Sequence, residues 1–395
     1  MNVRIIILEA GHLSSVAVSG GDKLINSMMP HFKKLRSANF TIIIPSIAKR
    51  HWPTKTKANF YLLKEIFLEK HINSPIAVFF VYIWRSLQML RYLLSVKKPA
   101  ILYSSSAEIV DWLAPFIIKL FSRDVIWIVR IHHLKELPQN RSGVLFTNYF
   151  SFLIEKVGLL CFQKADLVIV LNKSLESKIS KYVSRTKIKT LGAGIDLKKI
   201  KNFKAIVNTP FYDSVFLGRI HYTKGVLDLP MIWKNVQKKL PNARLAIIGE
   251  LSIPQLEKQL RAKIRNLNLQ DAIDILGFQK KTVVLSILKR SKVFLFCDHE
   301  AGFSIASSEA MASGLPVVGW DIGVLGDVYK KGYIKIPPFK FGEFASALVK
   351  ILSDQKLQKK LSREATHEAQ KHDWQKVAGA FENILLNLSQ NKYGV

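Results

Sequence analysis

Short apolar runs of strand type alternate with longer helix-type patterns along the whole chain, and this alternation constrains the fold more than any other feature. Runs at residues 3–8, 41–45, 100–104, 125–131 and 167–171 occupy the first half; 214–217, 244–248, 273–276, 292–296 and 316–319 occupy the second. Helical patterns fill the gaps, for instance at 23–35, 82–95 and 255–266. Strands that are apolar along their whole length need cover on both faces, which parallel sheets crossed by helices provide. The expected fold is α/β, with two Rossmann-like doubly wound domains. A chain of 395 residues suits two domains of about 200 residues each. A polar, basic segment at 196–212, ending in Thr209-Pro210, marks their junction. The expected division is 1–200, 201–373, and a C-terminal helix at 374–395 that returns to the first domain.

Composition narrows the class of protein. Hydrophobic residues make up 49% and charged residues 22%, which fits packed interiors and excludes a disordered chain. Lys and Arg number 59 against 29 Asp and Glu, a net charge of +30. Residues 1–200 hold 30 basic and 12 acidic side chains, so the excess leans towards the first half. Such a field attracts polyanions: nucleic acid, anionic lipid or phosphorylated substrates. A basic nucleic-acid-binding protein is one reading of it, but no helix-turn-helix or RNA-recognition signature accompanies the charge, and no specific nucleic-acid partner is expected. Cys161 and Cys297 stand alone, without a CxxC pair, so a reduced compartment is expected and a disulfide or structural metal is not. Residues 1–8 are too short an apolar run for a signal peptide, and the ten apolar residues 75–84 fall short of the roughly 20 that cross a bilayer. The expectation is a cytoplasmic protein, peripheral on the inner face of the membrane where it meets lipid.

Two segments carry chemistry. In Phe216-Leu-Gly-Arg-Ile-His-Tyr-Thr-Lys-Gly225 a strand ends, Gly218 permits a turn, and Arg219 and Lys224 flank a loop that leads into a helix. A guanidinium fork and an ammonium beside a helix N-terminus can grip a diphosphate. The alternative is a solvated basic loop. The second segment runs from His299-Glu-Ala-Gly-Phe-Ser304 to Glu309-Ala-Met-Ala-Ser-Gly-Leu-Pro-Val-Val318. Glu309 sits among small and apolar residues, where an unpartnered carboxylate is costly. Vicinal ribose hydroxyls would serve as its partner, and so would an internal lysine. Gly302, Phe303 and Ser304 offer backbone N–H groups at the entry to that helix.

Together these segments resemble the family 4 glycosyltransferases of the GT-B fold, in which two such domains face a cleft. The family pattern strand-G-R-x5-K-G is met by Gly218, Arg219, Lys224 and Gly225, and E-A-M-A-x-G-x-P-V is met from Glu309 onward. Ile247-Ile-Gly249 and Leu276-Gly277 lie between them in the expected order. The first half matches more weakly, through Gly20-Gly21-Asp22, Ile131-His-His-Leu134, Lys164-Ala-Asp166 and Gly194-Ile-Asp196.

The resemblance implies a nucleoside-diphosphate sugar as donor substrate, with no resident cofactor, and a retaining, metal-independent transfer. The acceptor it implies is a lipid-linked or glycan precursor. Arg219 and Lys224 would bind the diphosphate, Glu309 the ribose, and the Gly277-Phe278 turn the base. Gly20 and Gly21 would let a loop approach the phosphates. His132, favoured over His133, would face the transferred sugar. One departure stands out: eight residues before Glu309 is Ala301, where the family has glutamate, with Glu300 next to it, and Ser304 replaces a usual glycine. The resemblance therefore leaves open a catalytically weak donor-binding homologue, and an epimerase on the same fold. For the acceptor side, residues 49–64 combine Lys49, Arg50, Lys55, Lys57 and Lys64 with Trp52, Phe60 and Tyr61. That mixture suits an anionic membrane surface, or else a solvated lysine-rich loop.

Overall fold

The computed structural model describes residues 3–13, 24–36, 38–52, 56–71, 74–141, 145–251 and 253–394. Two compact units form, one from residues 1–193 and 374–395, the other from Gly194–Asp373. Residues 194–200, expected in the first unit, pack in the second. Ile195 donates its N–H to His372 O (2.8 Å), and Ile195, Leu197 and Ile200 enter the second unit's core.

Unit 1 is a seven-stranded parallel sheet. Its strands are β1 (Arg4–Leu8), β2 (Phe40–Pro45), β3 (Asn59–Leu63), β4 (Ala100–Ser104), β5 (Val125–Ile131), β6 (Leu167–Val170) and β7 (Ile188–Thr190). They lie in the order β3-β2-β1-β4-β5-β6-β7. The inner strands β2, β4, β5 and β6 are buried along their whole length, as helices on both faces require. A knot of Trp112, Phe116, Trp127 and Phe162, mostly edge to face, fills one side of the sheet. The C-terminal helix Trp374–Tyr393 belongs to this unit. Phe381 packs on Phe32 and Tyr103, and buried Glu382 accepts the N–H groups of Lys34 (2.7 Å) and Leu35 (2.8 Å).

Unit 2 is a six-stranded parallel sheet of β8 (Tyr212–Leu217), β9 (Leu245–Ile248), β10 (Ile273–Gly277), β11 (Ser291–Phe296), β12 (Val317–Trp320) and β13 (Tyr333–Ile336). The order is β10-β9-β8-β11-β12-β13. In both sheets the winding reverses beside the first strand, between β1 and β4 and between β8 and β11. At such a reversal the flanking helices go to opposite faces, which leaves an opening at the carboxyl ends of the two strands.

Three strands escaped the sequence pattern: β3, β7 and β13. Each is an edge strand, and all three mix exposed with buried positions. Two helices also differ from expectation. The helix expected at 23–35 is broken: Leu24–Met28 gives way to a 3-10 turn at Met29–His31, because Pro30 removes a backbone donor. Conversely, the apolar stretch at 75–84 opens a helix that runs as Pro75–Ser95, with Pro75 in the first turn and Ser74 as its cap.

Candidate functional site

In unit 2 the loops that follow β8 and β11 meet at the β8/β11 reversal. Gly218 follows β8 and donates to Ile248 O (3.0 Å). A Cβ on Gly249 would lie 1.7 Å from Gly218 O, so only glycine lets the ends of β8 and β9 meet there. The loop then carries Arg219 outward. Its side chain is exposed and has no ion-pair partner among the described residues. A 3-10 turn, Tyr222–Lys224, is capped by His221 and closed by Gly225 at φ 61. A Cβ on Gly225 would strike Cys297 O at 2.0 Å, so this turn presses against the end of β11.

That contact brings Lys224 to Asp298, the second residue after β11, and the two form an ion pair. Asp298 is buried and so needs a countercharge. Next to it His299 donates its N–H to Thr223 O (2.8 Å), while its Nε2 meets Asp228 Oδ2 (2.8 Å). Asp228 also accepts from Trp320 Nε1 (3.0 Å). Asp228 and Asp298 were not singled out from sequence. Asp298 had one signal, its place just past a buried strand at the reversal.

Glu309 lies in the short helix Ile305–Ala312 and pairs with Lys281, at the start of the helix Lys281–Lys289. The internal lysine weighed as an alternative partner is therefore present. Ser304 is the cap of the Glu309 helix: its Oγ accepts from Ser307 N (3.1 Å), and its carbonyl accepts from Tyr329 OH (2.6 Å). That explains a serine where glycine is usual, and it means the hydroxyl is already engaged. Phe303 packs edge-on to His372 and against Tyr329. Gly302 is buried and Glu300 half-buried in the same loop. Gly277 ends β10 at φ 65, accepting from Gly249 N (3.0 Å), and throws Phe278 into solvent at 76% exposure. An exposed ring at a sheet's carboxyl edge is a ready stacking platform.

The sequence-derived histidines belong to unit 1. His132 follows β5, is half-buried, and donates from Nε2 to Ser105 O (2.8 Å), which ties it to the carboxyl end of β4. His133 is exposed beside it. The β1/β4 reversal holds a buried polar set that the sequence did not reveal. Asp111 accepts from Ala10 N (2.7 Å) and Ser106 Oγ (2.6 Å), and Arg85 donates to Ala10 O (2.6 Å) and His12 O (2.7 Å). Gly20 and Gly21 lie outside the described residues.

The expected membrane segment is corrected in part. Trp52 is only 5% exposed and packs edge-on to Phe60, and Tyr61 packs on Tyr92 at 4.3 Å. Lys49 sits over the Phe60 ring. Trp52 thus serves the core of unit 1, while Phe60 and Tyr61 are half-buried. Lys55 lies outside the described residues.

Residues 198–368 match the glycosyl transferases group 1 family. Over this segment the chain is similar to the group 1 glycosyl transferases. It is 26% identical over 292 residues to the capsular polysaccharide biosynthesis glycosyltransferase CapM of Staphylococcus aureus, covering 69% of this chain and 72% of that protein. The chain spans about half the length of the first curated relatives it matches, 52% and 55%. Among solved structures, sucrose-phosphate synthase from Thermosynechococcus elongatus superposes with a TM-score of 0.77 at 16% identity, covering 98% of this chain and 99% of that one. Anabaena HepE in complex with UDP-glucose gives 0.73 at 14%, covering 98% and 100%. These likenesses show the GT-B fold.

Proposed function

We propose that the protein transfers a sugar from a nucleoside-diphosphate sugar, with retention of anomeric configuration and without a divalent metal, to a lipid-linked or glycan-precursor acceptor. The observation that carries the reading is Arg219, an exposed guanidinium with no ion-pair partner among the described residues, at the carboxyl end of β8 where the sheet's winding reverses. Arg219 and Lys224 bind the diphosphate and stabilise the charge that grows on it as the glycosidic bond breaks. Lys224 then shares its charge between phosphate and Asp298. Glu309 takes the ribose hydroxyls in place of, or alongside, Lys281. Phe278 lies against the base.

Glu300 holds the sugar hydroxyls in place of the family's first glutamate, and His132, with His133 beside it, faces the transferred sugar. Attack comes from the face the leaving group vacates, and the departing phosphate takes the acceptor's proton. The nucleotide-sugar donor also agrees with HepE, which was solved with UDP-glucose. The test is transfer of labelled sugar from UDP-, GDP- or ADP-sugars to a lipid extract, with the new linkage read by NMR. Release of nucleoside diphosphate with an inverted linkage overturns the retaining mechanism, and no turnover of any donor overturns the enzyme reading.

A further inference from the structure

Two helices of unit 1 leave long apolar stripes in solvent. On Pro75–Ser95 the exposed side chains include Phe80, Trp84 and Leu87; on Leu145–Cys161 they include Phe146, Tyr149, Leu153 and Val157. Each set falls at spacings of three and four residues, so each forms one face of its helix. The stripes join. Phe80 touches Phe79, Phe79 packs edge-on to Phe150 at 5.3 Å, and Phe150 stacks with Phe146 at 6.3 Å. An exposed apolar face of this extent marks an interaction surface.

Charge identifies the partner. Neither helix carries an exposed acid: Pro75–Ser95 has none, and Glu155, the one acid of Leu145–Cys161, is buried. Both helices return against parallel strands, so their C-terminal ends lie along the same edge of the sheet. Those ends carry the exposed cations Arg91, Lys97, Lys98 and Lys164. A second copy of this chain would set cation against cation there, whereas an anionic lipid surface is complementary to both the rings and the charges.

Residues 145–164 are apolar and long enough to cross a bilayer by composition, with mean hydropathy 1.3. Yet one side of that stretch is fixed to the unit by Glu155, Leu159 and Phe162, and Gly158 lies against Trp112. A helix held along one side lies in the membrane plane and does not span it.

We propose that the paired faces of Pro75–Ser95 and Leu145–Cys161 form a monotopic docking surface for an anionic lipid bilayer. The proposal deepens the acceptor side of the proposed function and rests on that reading for its purpose, but its test needs no turnover. Trp84 reports on it: at 37% exposure it lies on the stripe, while the other six tryptophans are buried.

The experiment uses the full chain with vesicles of phosphatidylcholine alone, or with 30% phosphatidylglycerol by design, each in plain and brominated-lipid form. Expected are co-sedimentation with the anionic vesicles and quenching of tryptophan emission by brominated lipid. Trp84→Phe should lose the quenching and still sediment. Phe80→Glu combined with Leu153→Glu should weaken sedimentation by about tenfold or more, with an unchanged melting temperature because both side chains are exposed. Lys49→Glu with Arg50→Glu should leave sedimentation near wild type. Absent vesicle binding, quenching that survives Trp84→Phe, or a dimer in solution that the Phe80/Leu153 variant dissolves would each overturn the proposal. Vesicle binding by a chain that fails to bind any nucleotide would sustain it and overturn the donor reading instead.

Discussion

Arg219 and Lys224 were assigned the same duty from sequence, yet their surroundings differ. Arg219 is exposed and unpaired among the described residues, whereas Lys224 neutralises buried Asp298. Removing Lys224 leaves a buried carboxylate without its counter-ion, which costs several kcal/mol where such a pair is well buried. Arg219→Ala should therefore keep the wild-type melting temperature, and Lys224→Ala should lower it, while both cut transfer by about two orders of magnitude or more. Equal thermal stability in the two variants would remove the structural role of the Lys224–Asp298 pair. Glu309 makes a second contrast. Glu309→Gln should weaken nucleoside-diphosphate binding by about tenfold, the worth of one charged hydrogen bond. A 2′-deoxy nucleotide should lose affinity against wild type and lose little further against Glu309→Gln. Full additivity of the two losses would place the ribose elsewhere.

At the scale of elements, the helix Leu145–Cys161 holds a titrating group. Burial pushes the Glu155 carboxyl up to about 7, against the opposing pull of Lys135, whose backbone N–H it accepts at 3.0 and 3.2 Å. Glu108 raises it further and Lys156 lowers it. Because the folded value lies above the unfolded 4.5, this group's stabilisation is complete below about pH 4.5 and is lost as pH rises through 7. Glu155→Gln removes that loss. Between pH 5.5 and 8 the wild type should lose about 2 kcal/mol relative to the variant, measured by denaturant unfolding at each pH. Parallel pH profiles would show that the carboxyl ionises normally.

The same scale shows what a linear pattern can reveal. β4, β5 and β6 were legible because strands buried on both faces read as unbroken apolar runs. β3 was not, because Asn59 and Leu62 face solvent at the sheet's edge. The G-R…K-G and E-A-M-A segments were legible because their spacing is local. Lys281 and Asp298, the partners of Glu309 and Lys224, lie 28 and 74 residues from them, and only the folded sheet brings them together. The exposed stripes were hidden for a related reason: helix periodicity shows that a face is apolar, and only the packed unit shows that no described residue covers it.

For the whole molecule, the two parallel sheets put a reversal in each unit, and unit 2 places Arg219, without an ion-pair partner among the described residues, at its own. The central claim is that this reversal is a diphosphate site. Calorimetric titration of UDP and GDP into the wild type and Arg219→Ala tests it most directly. The account predicts saturable one-to-one binding of at least one nucleotide by the wild type, weakened about a hundredfold in Arg219→Ala at an unchanged melting temperature. Equal affinity in the two proteins, or no binding of either nucleotide by the wild type, would contradict it.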